Sequence, residues 1–481
     1  MYADRLFSFG KDGSFMKKSV ALLCALLTLL TVCAGAGADN TALPAAKFRD
    51  AAVHDPSVIF ADGAYYIFGS HMAAARSEDL IAWKMISRNA LEGCRLVENA
   101  QTEMKEALSW AKTYTFWAPD VQRLNDGRYY MYYCCCEGSS PLSALGVAVS
   151  DAPEGPYRNL GIILKSGMPG YDATQLPNAV DPCTFFDKEG RLWMVYGSYS
   201  GGIFILEMDP DTGFPLEGQG YGKKLLGKNH SRIEGPYILY SPDTDYYYLF
   251  LSFGGLEADD GYNIRVCRSK NPDGPYTDAP GHDMIECGGR DGTYFNDPDY
   301  EDYGVKLLGS YRFEPLAGEK AVTYRSPGHN SAIYDEKTGR YFLLFHTRFA
   351  DRKTIFYVRV HQFMMNADGW PVVLPLRYAG EEPEAVPPET VAGTYRVLFH
   401  ERDINGTEHV SQLLTLKPDG TAEGCRSGTW NCVNGRDIRL LLDGTAYCGV
   451  VNICYEAERA CSPLCFTALD ETGAALWGVG E

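Results

Sequence analysis

Five stretches of this chain repeat one design. They are HDPSVIFADGAYYIFGS from His54, APDVQRLNDGRYYMYYC from Ala118, VDPCTFFDKEGRLWMVYGS from Val180, EGPYILYSPDTDYYYLFLS from Glu234 and GHNSAIYDEKTGRYFLLFH from Gly328. Each opens on a polar residue beside Pro or Gly and runs through a short apolar strand. Each then turns at an Asp/Gly cluster and resumes in an aromatic-rich strand, a repeated hairpin signal. The unit ends recur too: VAVSDAPEGPY closes at Tyr157 and VCRSKNPDGPY at Tyr276, with SEDLIAWK similar near Trp83. Multi-strand units at such periods predict an all-β, five-bladed propeller. The opening residues are Asp55, Asp120, Asp181, Glu234 and His329. Before the last of them, a Gly/Asp/Tyr-rich excursion over 281–325 reads as a loop-rich insertion.

Equivalent positions of successive blades face the central channel, so four carboxylates and one imidazole are expected to converge at one of its ends. Like charges at close range are unfavourable and push pKa values apart, which implies chemistry rather than stability. Glycosidic bond hydrolysis needs two carboxyl groups in different protonation states. Glu234, between Ile233 and a Gly235-Pro236 turn, is the candidate acid, because desolvation favours its neutral form. Asp181 would hold a charge nearby that raises Glu234 further and orients its proton. Asp55 is left as the ionised base. A lone Asp-Pro is ordinarily a turn or a strand start, but three acidic openers in blade register favour function. Asp120 is expected to be structural, capping a strand start.

The 481 residues are enough for two domains. Residues 1–38 read as a secretory signal: Lys17 and Lys18, an apolar run from Val20 to Val32, and a small-residue site ending at Ala38. That run is short for a bilayer span, so a secreted protein is expected. The formal net charge is −18. An acidic chain without a basic run disfavours nucleic acid, anionic membranes and polyanions, and favours a neutral ligand or polymer. Of 15 Cys, Cys24 and Cys33 fall in the signal, and six of the rest crowd the C-terminal segment from Cys425 to Cys465. Export makes disulfides possible there, but the spacings specify no pairing. The propeller is expected over 39–380, an acidic, Pro-rich linker over 381–392, and a small β-barrel or sandwich of alternating strands and Asp-Gly turns over 393–481.

The motifs HDPSVI, NAVDP, YGSYSGGIFILEMDP, NHSRIEGPY and SPGHNSA resemble glycoside hydrolase family 43, and within it the secreted two-domain endo-α-(1→5)-L-arabinanases. The tail, from GTYRVLFH to ALWGVG, is similar to their C-terminal, lipocalin-like barrel. The resemblance covers nearly all of the chain after the signal, with long motifs in order. It implies arabinan as substrate, a monomer, inversion at the anomeric carbon, Asp55 as general base, Glu234 as general acid and Asp181 as the residue tuning the acid. It further implies that His329 holds a calcium ion in the channel, largely through ordered water. The residue alone suggests a core His bonded to backbone equally well. Phe116 and Trp117 are candidates to stack on sugar faces, or else a buried core pair. Asn178, Ser198, Tyr199, Ser200, His230 and Arg232 are candidates to hydrogen-bond furanose hydroxyls. Rival readings are an exo-acting α-L-arabinofuranosidase or β-xylosidase of the same family, and a sugar-binding propeller without catalysis. The last would be expected to have lost one of the three acidic residues, and none is lost. A retaining fructan-cleaving propeller would carry NDPNG and EC motifs, whereas Gly235 follows Glu234 here.

Overall fold

The computed structural model describes residues 46–90, 94–315 and 321–481; the expected signal segment lies outside them. Blade 1 comprises Ser57–Ala61, Ala64–Gly69, Ala73–Ser77 and Lys84–Ser87, hydrogen-bonded in chain order as an antiparallel sheet. Its first turn is Asp62-Gly63, with both residues at positive φ (50° and 78°), the conformation that matches the twist of a two-residue hairpin. Blades 2, 3 and 4 repeat the four-strand order, with innermost strands Asp120–Arg123, Cys183–Phe186 and Ile233–Ser241. Blade 5 opens with Val322–Asp335 and ends with Pro371–Val373.

Strand side chains alternate between faces, and here both faces are buried between neighbouring blades. From Tyr129–Cys136, the residues Tyr129, Met131 and Tyr133 pack with Tyr66 and Phe68 of blade 1. Tyr130 and Tyr132 pack the other way, with Leu192 and Met194 of blade 3. This is why the second strand of each repeat is apolar throughout. The ring closes by packing and hydrogen bonds: Tyr65, Ile67 and Trp83 meet Phe342 and Leu344 of blade 5, and the Val358 N–H of blade 5 donates to Ala51 O at 3.0 Å. The repeated GPY ends adopt one local bond, Tyr157 Oη to Pro153 O at 2.9 Å and Tyr276 Oη to Pro272 O at 2.8 Å.

One expectation is corrected. The excursion over 281–325 is not only loop, because Val305–Leu308 is the outer strand of blade 4 and Tyr311–Phe313 pairs with the start of Val322–Asp335. The segment read as a linker is mostly exposed but pinned at a few points: Glu381 is 1% exposed, and Val386 and Val391 join the core of the C-terminal unit. That unit is a closed eight-stranded barrel, its first strand Gly393–His400 pairing with its last, Ala475–Gly480. Among the described residues no helix is long and apolar enough to cross a membrane.

Candidate active site

The blade entries Asp55-Pro56, Ala118-Pro119, Asp181-Pro182, Gly235-Pro236 and His329-Asn330 line one small cavity at an end of the channel. Four of these entries share a left-handed backbone: Asp55 (φ 57°), Asp181 (56°), Gly235 (57°) and His329 (44°). For a non-glycine residue this conformation costs about 1–2 kcal/mol, and such strain clusters at functional sites. At the fourth entry a Cβ on Gly235 would be crowded, 3.1 Å from His329 Cγ. The register therefore differs from the sequence alignment. Glu234 sits one residue before its entry, and Ala118, not Asp120, holds the second.

Asp120 is 2% exposed and ties three blades together. It accepts from Ser57 Oγ of blade 1 at 2.5 Å, and from the Thr184 backbone N–H and Oγ1 of blade 3 at 2.7 and 2.5 Å. The structural role expected of it holds. A larger cavity, about 930 Å³, lies at the other end of the inner strands among Phe60, Tyr240 and Tyr334, and none of the acidic entries lines it.

Asp55 is surrounded by donors. Ser70 Oγ and His54 Nδ1 (2.8 Å) meet Oδ2, and His329 Nδ1 lies 3.2 Å from Oδ1. Burial alone would raise this carboxyl, but His329 and His54 outweigh it and hold the group well below the usual carboxylate range. Of the three histidines His346 contributes least. Its Nδ1 accepts the Asp55 backbone N–H at 3.2 Å, and burial pushes its pKa well down, so the ring is neutral with its proton on Nε2.

Asp181 and Glu234 behave oppositely. Burial, followed by the charges of Glu234 and Asp55, drives Asp181 well above its ordinary value, against one backbone donor, Gly235 N–H at 3.2 Å. Burial also raises Glu234, partly offset by His329 and by hydroxyls on both oxygens: Ser198 to Oε2 and Tyr262 to Oε1, each at 2.8 Å. Two buried carboxyls facing each other keep at least one proton between them. Asp55 is thus held ionised, while Asp181 and Glu234 share at least one proton.

Residues 49–371 match the glycosyl hydrolases family 43, and 375–478 match a C-terminal lipocalin-like domain. The chain belongs to family 43. It is 54% identical over 438 residues to an extracellular endo-α-(1→5)-L-arabinanase of Bacillus subtilis, spanning 90% of this chain and 93% of that one. A crystal structure of a family 43 glycoside hydrolase from Bacillus licheniformis superposes with a TM-score of 0.88 at 54% identity, covering 90% of this chain and 99% of that one. An endo-1,5-α-L-arabinanase from Thermotoga petrophila superposes at 0.87 with 46% identity, covering 91% and 100%.

Within this family 43 site the softer sequence candidates divide. Phe116 is fully buried against Tyr133 and cannot stack on a ligand, which corrects that expectation; Trp117 is half-buried. Asn178 is buried, and its Oδ1 accepts from Ser143 Oγ at 2.5 Å. Ser200 is buried, and its carbonyl accepts the His230 N–H at 2.9 Å. Arg232 is committed to Asp297, Nε to Oδ1 at 3.1 Å. Ser198 meets the acid pair directly, while Tyr199 and His230 remain half-buried.

The last position of each quoted repeat holds a residue of the site, and of these only Ser198 was a candidate from the sequence. Ser70, Ser198, Ser252 and His346 hold that position in blades 1, 3, 4 and 5, at or near the ends of the second strands. They bond Asp55 Oδ2, Glu234, the His329 N–H (2.7 Å) and the Asp55 N–H in turn. In blade 2 the position is Cys134, whose thiol donates to Ala118 O at 3.2 Å. The shared final position of the five repeats was the available signal. Beneath His329, both polar atoms of the Asn330 side chain, Ser331 Oγ and His346 Nε2 are buried with no protein hydrogen-bond partner among the described residues.

Proposed function

We propose that this protein is an extracellular, inverting endo-hydrolase of the α-1,5-L-arabinofuranosidic bonds of arabinan. The observation that carries the reading is geometric: Asp55 and Asp181 line one cavity with Glu234 beside its fourth entry, Asp55 being held low by its histidines and the other two raised by burial. The named activities of the B. subtilis and T. petrophila relatives supply the substrate and the endo mode. Asp55 takes a proton from water as its oxygen bonds to the anomeric carbon. Glu234 gives its proton to the leaving oxygen as the glycosidic C–O bond breaks. Asp181 shares the acid's proton and directs it, and Ser198 and Tyr262 fix the Glu234 carboxyl in place.

The same reading includes a calcium ion beside His329, held largely through water. Calcium prefers oxygen ligands, and the orphaned side chain of Asn330, which lines the cavity next to His329, fits a hydrated ion, since buried polar atoms need such partners. When bound, it supplies positive charge next to Asp55. Metal analysis of His329→Ala should find the calcium lost; unchanged content would remove the assignment.

The test of the function is the product profile on linear 1,5-α-L-arabinan over the first few per cent of hydrolysis. A mixed ladder of oligosaccharides is expected at once. Arabinose as sole early product would replace the endo reading with the exo one.

A further inference from the structure

The excursion after the third strand of blade 4 returns to the segment just ahead of Glu234 and is bolted to it. Asn229 Nδ2 donates to Gly289 O at 2.9 Å and to Asp291 Oδ1 at 3.1 Å, and the Gly289 N–H donates to Ser231 Oγ at 2.8 Å. Arg232 clamps Asp297, and its backbone N–H donates to Tyr300 Oη at 2.9 Å. Arg290 closes the loop on itself, with Nε to Asp299 Oδ1 at 2.7 Å.

At the tip of this anchored loop two large rings stand in solvent, Tyr294 at 58% and Phe295 at 55% exposure. Both lean on His230, with centroids 5.5 and 5.8 Å away, and Phe295 also meets Tyr199 at 6.1 Å. Phe295 has φ 53°, a conformation that is an outlier for a bulky side chain. Scattered exposed apolar residues need no explanation, but an adjacent pair held by ion pairs and a strained backbone marks a binding surface. The rings present flat apolar faces in a chain of strongly acidic balance, which suits the C–H faces of a neutral sugar and not an anionic polymer.

We propose that Tyr294 and Phe295 form a distal subsite that stacks arabinofuranosyl units on the leaving-group side of the cleavage point. The assignment of side rests on Glu234 as the acid. The ledge reaches the cavity through Tyr199, whose N–H donates to Ile233 O at 2.9 Å, beside Glu234. A group that protonates the leaving oxygen faces the departing chain, so the rings beyond it meet that chain.

The test uses linear α-1,5-arabino-oligosaccharides of increasing length, labelled at the reducing end. Replacing both residues (Tyr294→Ala with Phe295→Ala) should lower kcat/KM on long chains about tenfold, through KM, a loss the size of two ring contacts. The shortest cleaved oligosaccharide should be turned over as before, and the labelled fragment from long chains should become shorter. Phe295→Trp should keep the wild-type length dependence, separating the ring from the fold. An unchanged length dependence in the double variant would overturn the subsite, and so would an equal loss at every length. Failure of the underlying acid assignment would look different: Glu234→Ala would then hydrolyse arabinan normally, whatever the two rings do.

Discussion

Two hydroxyls oppose burial at Glu234. Desolvation lifts the carboxyl, while Ser198 and Tyr262 donate to its two oxygens and favour the charged form. Tyr262 is buried at the start of the third strand of blade 4, so its hydroxyl is held in place by packing rather than by a flexible loop. Tyr262→Phe removes one donor to the charged state, and the sign follows: Glu234 should keep its proton to higher pH. The alkaline limb of kcat/KM should therefore move up, while kcat falls about tenfold for the lost hydrogen bond to a charged group. A pH–rate profile of the variant checks both, and a limb that stays put or moves down would mean the hydroxyl does not act on the acid. Glu234→Ala should fold normally and lose about 10²- to 10⁴-fold on an unactivated substrate, the usual contribution of a positioned acid.

Between blades, the element that matters is the Asp120 clamp. It joins the inner strands of blades 1, 2 and 3, and nothing positively charged is among the partners that hold it. Asp120→Ala strands the Thr184 N–H in a buried place and should cost about 3 kcal/mol, read as a lower urea midpoint with activity kept in the folded fraction. Asp120→Asn keeps an acceptor for Thr184 and should lose far less; equal losses in the two would show that packing, not hydrogen bonding, makes the clamp. The same position shows what was legible in the sequence. Apolar, aromatic-rich strands after Asp/Gly turns marked each blade because both strand faces are buried, and the Asp-Pro pairs marked the entries Asp55 and Asp181. The second entry was misplaced by two residues because Ala118 offers no chemistry to notice, while Asp120 does. Phe116 was ambiguous because an aromatic residue just ahead of a strand can face either core or cleft. Ser70, Ser252 and His346 stood at the ends of the repeats, yet a strand-end hydroxyl says nothing about its partner until blades from distant parts of the chain are brought together.

At the scale of the whole molecule, the barrel is part of the propeller's support. Trp477 of the barrel stands edge-on to Tyr311 at 5.3 Å within the apolar cluster shared with blades 4 and 5. Lys306 Nζ reaches Asp403 Oδ1 at 2.8 Å, and a Cβ on Gly261, the neighbour of Tyr262, would lie 2.6 Å from Asn405 backbone atoms. The segment joining the two units is equally committed: Glu381 accepts the Ala379 N–H at 2.7 Å, its carbonyl accepts from Arg340, and the Glu384 N–H donates to Asn452 of the barrel at 3.2 Å. Burial raises the Glu381 carboxyl to about 7, against backbone donors and Arg340 that pull it down. An acid whose folded pKa lies above its unfolded one stabilises the fold when protonated, so its contribution is present at low pH and fades as pH rises from about 4.5 to about 7. The difference sets a ceiling of about 3 kcal/mol, at 1.36 kcal/mol per unit. Glu381→Gln keeps an acceptor for Ala379 and cannot ionise. Its melting temperature should match wild type near pH 4.5 and exceed it by several degrees at pH 8, with the gap opening between those values. A gap that is constant with pH would mean that Glu381 does not titrate in this window and that the junction is insensitive to its charge.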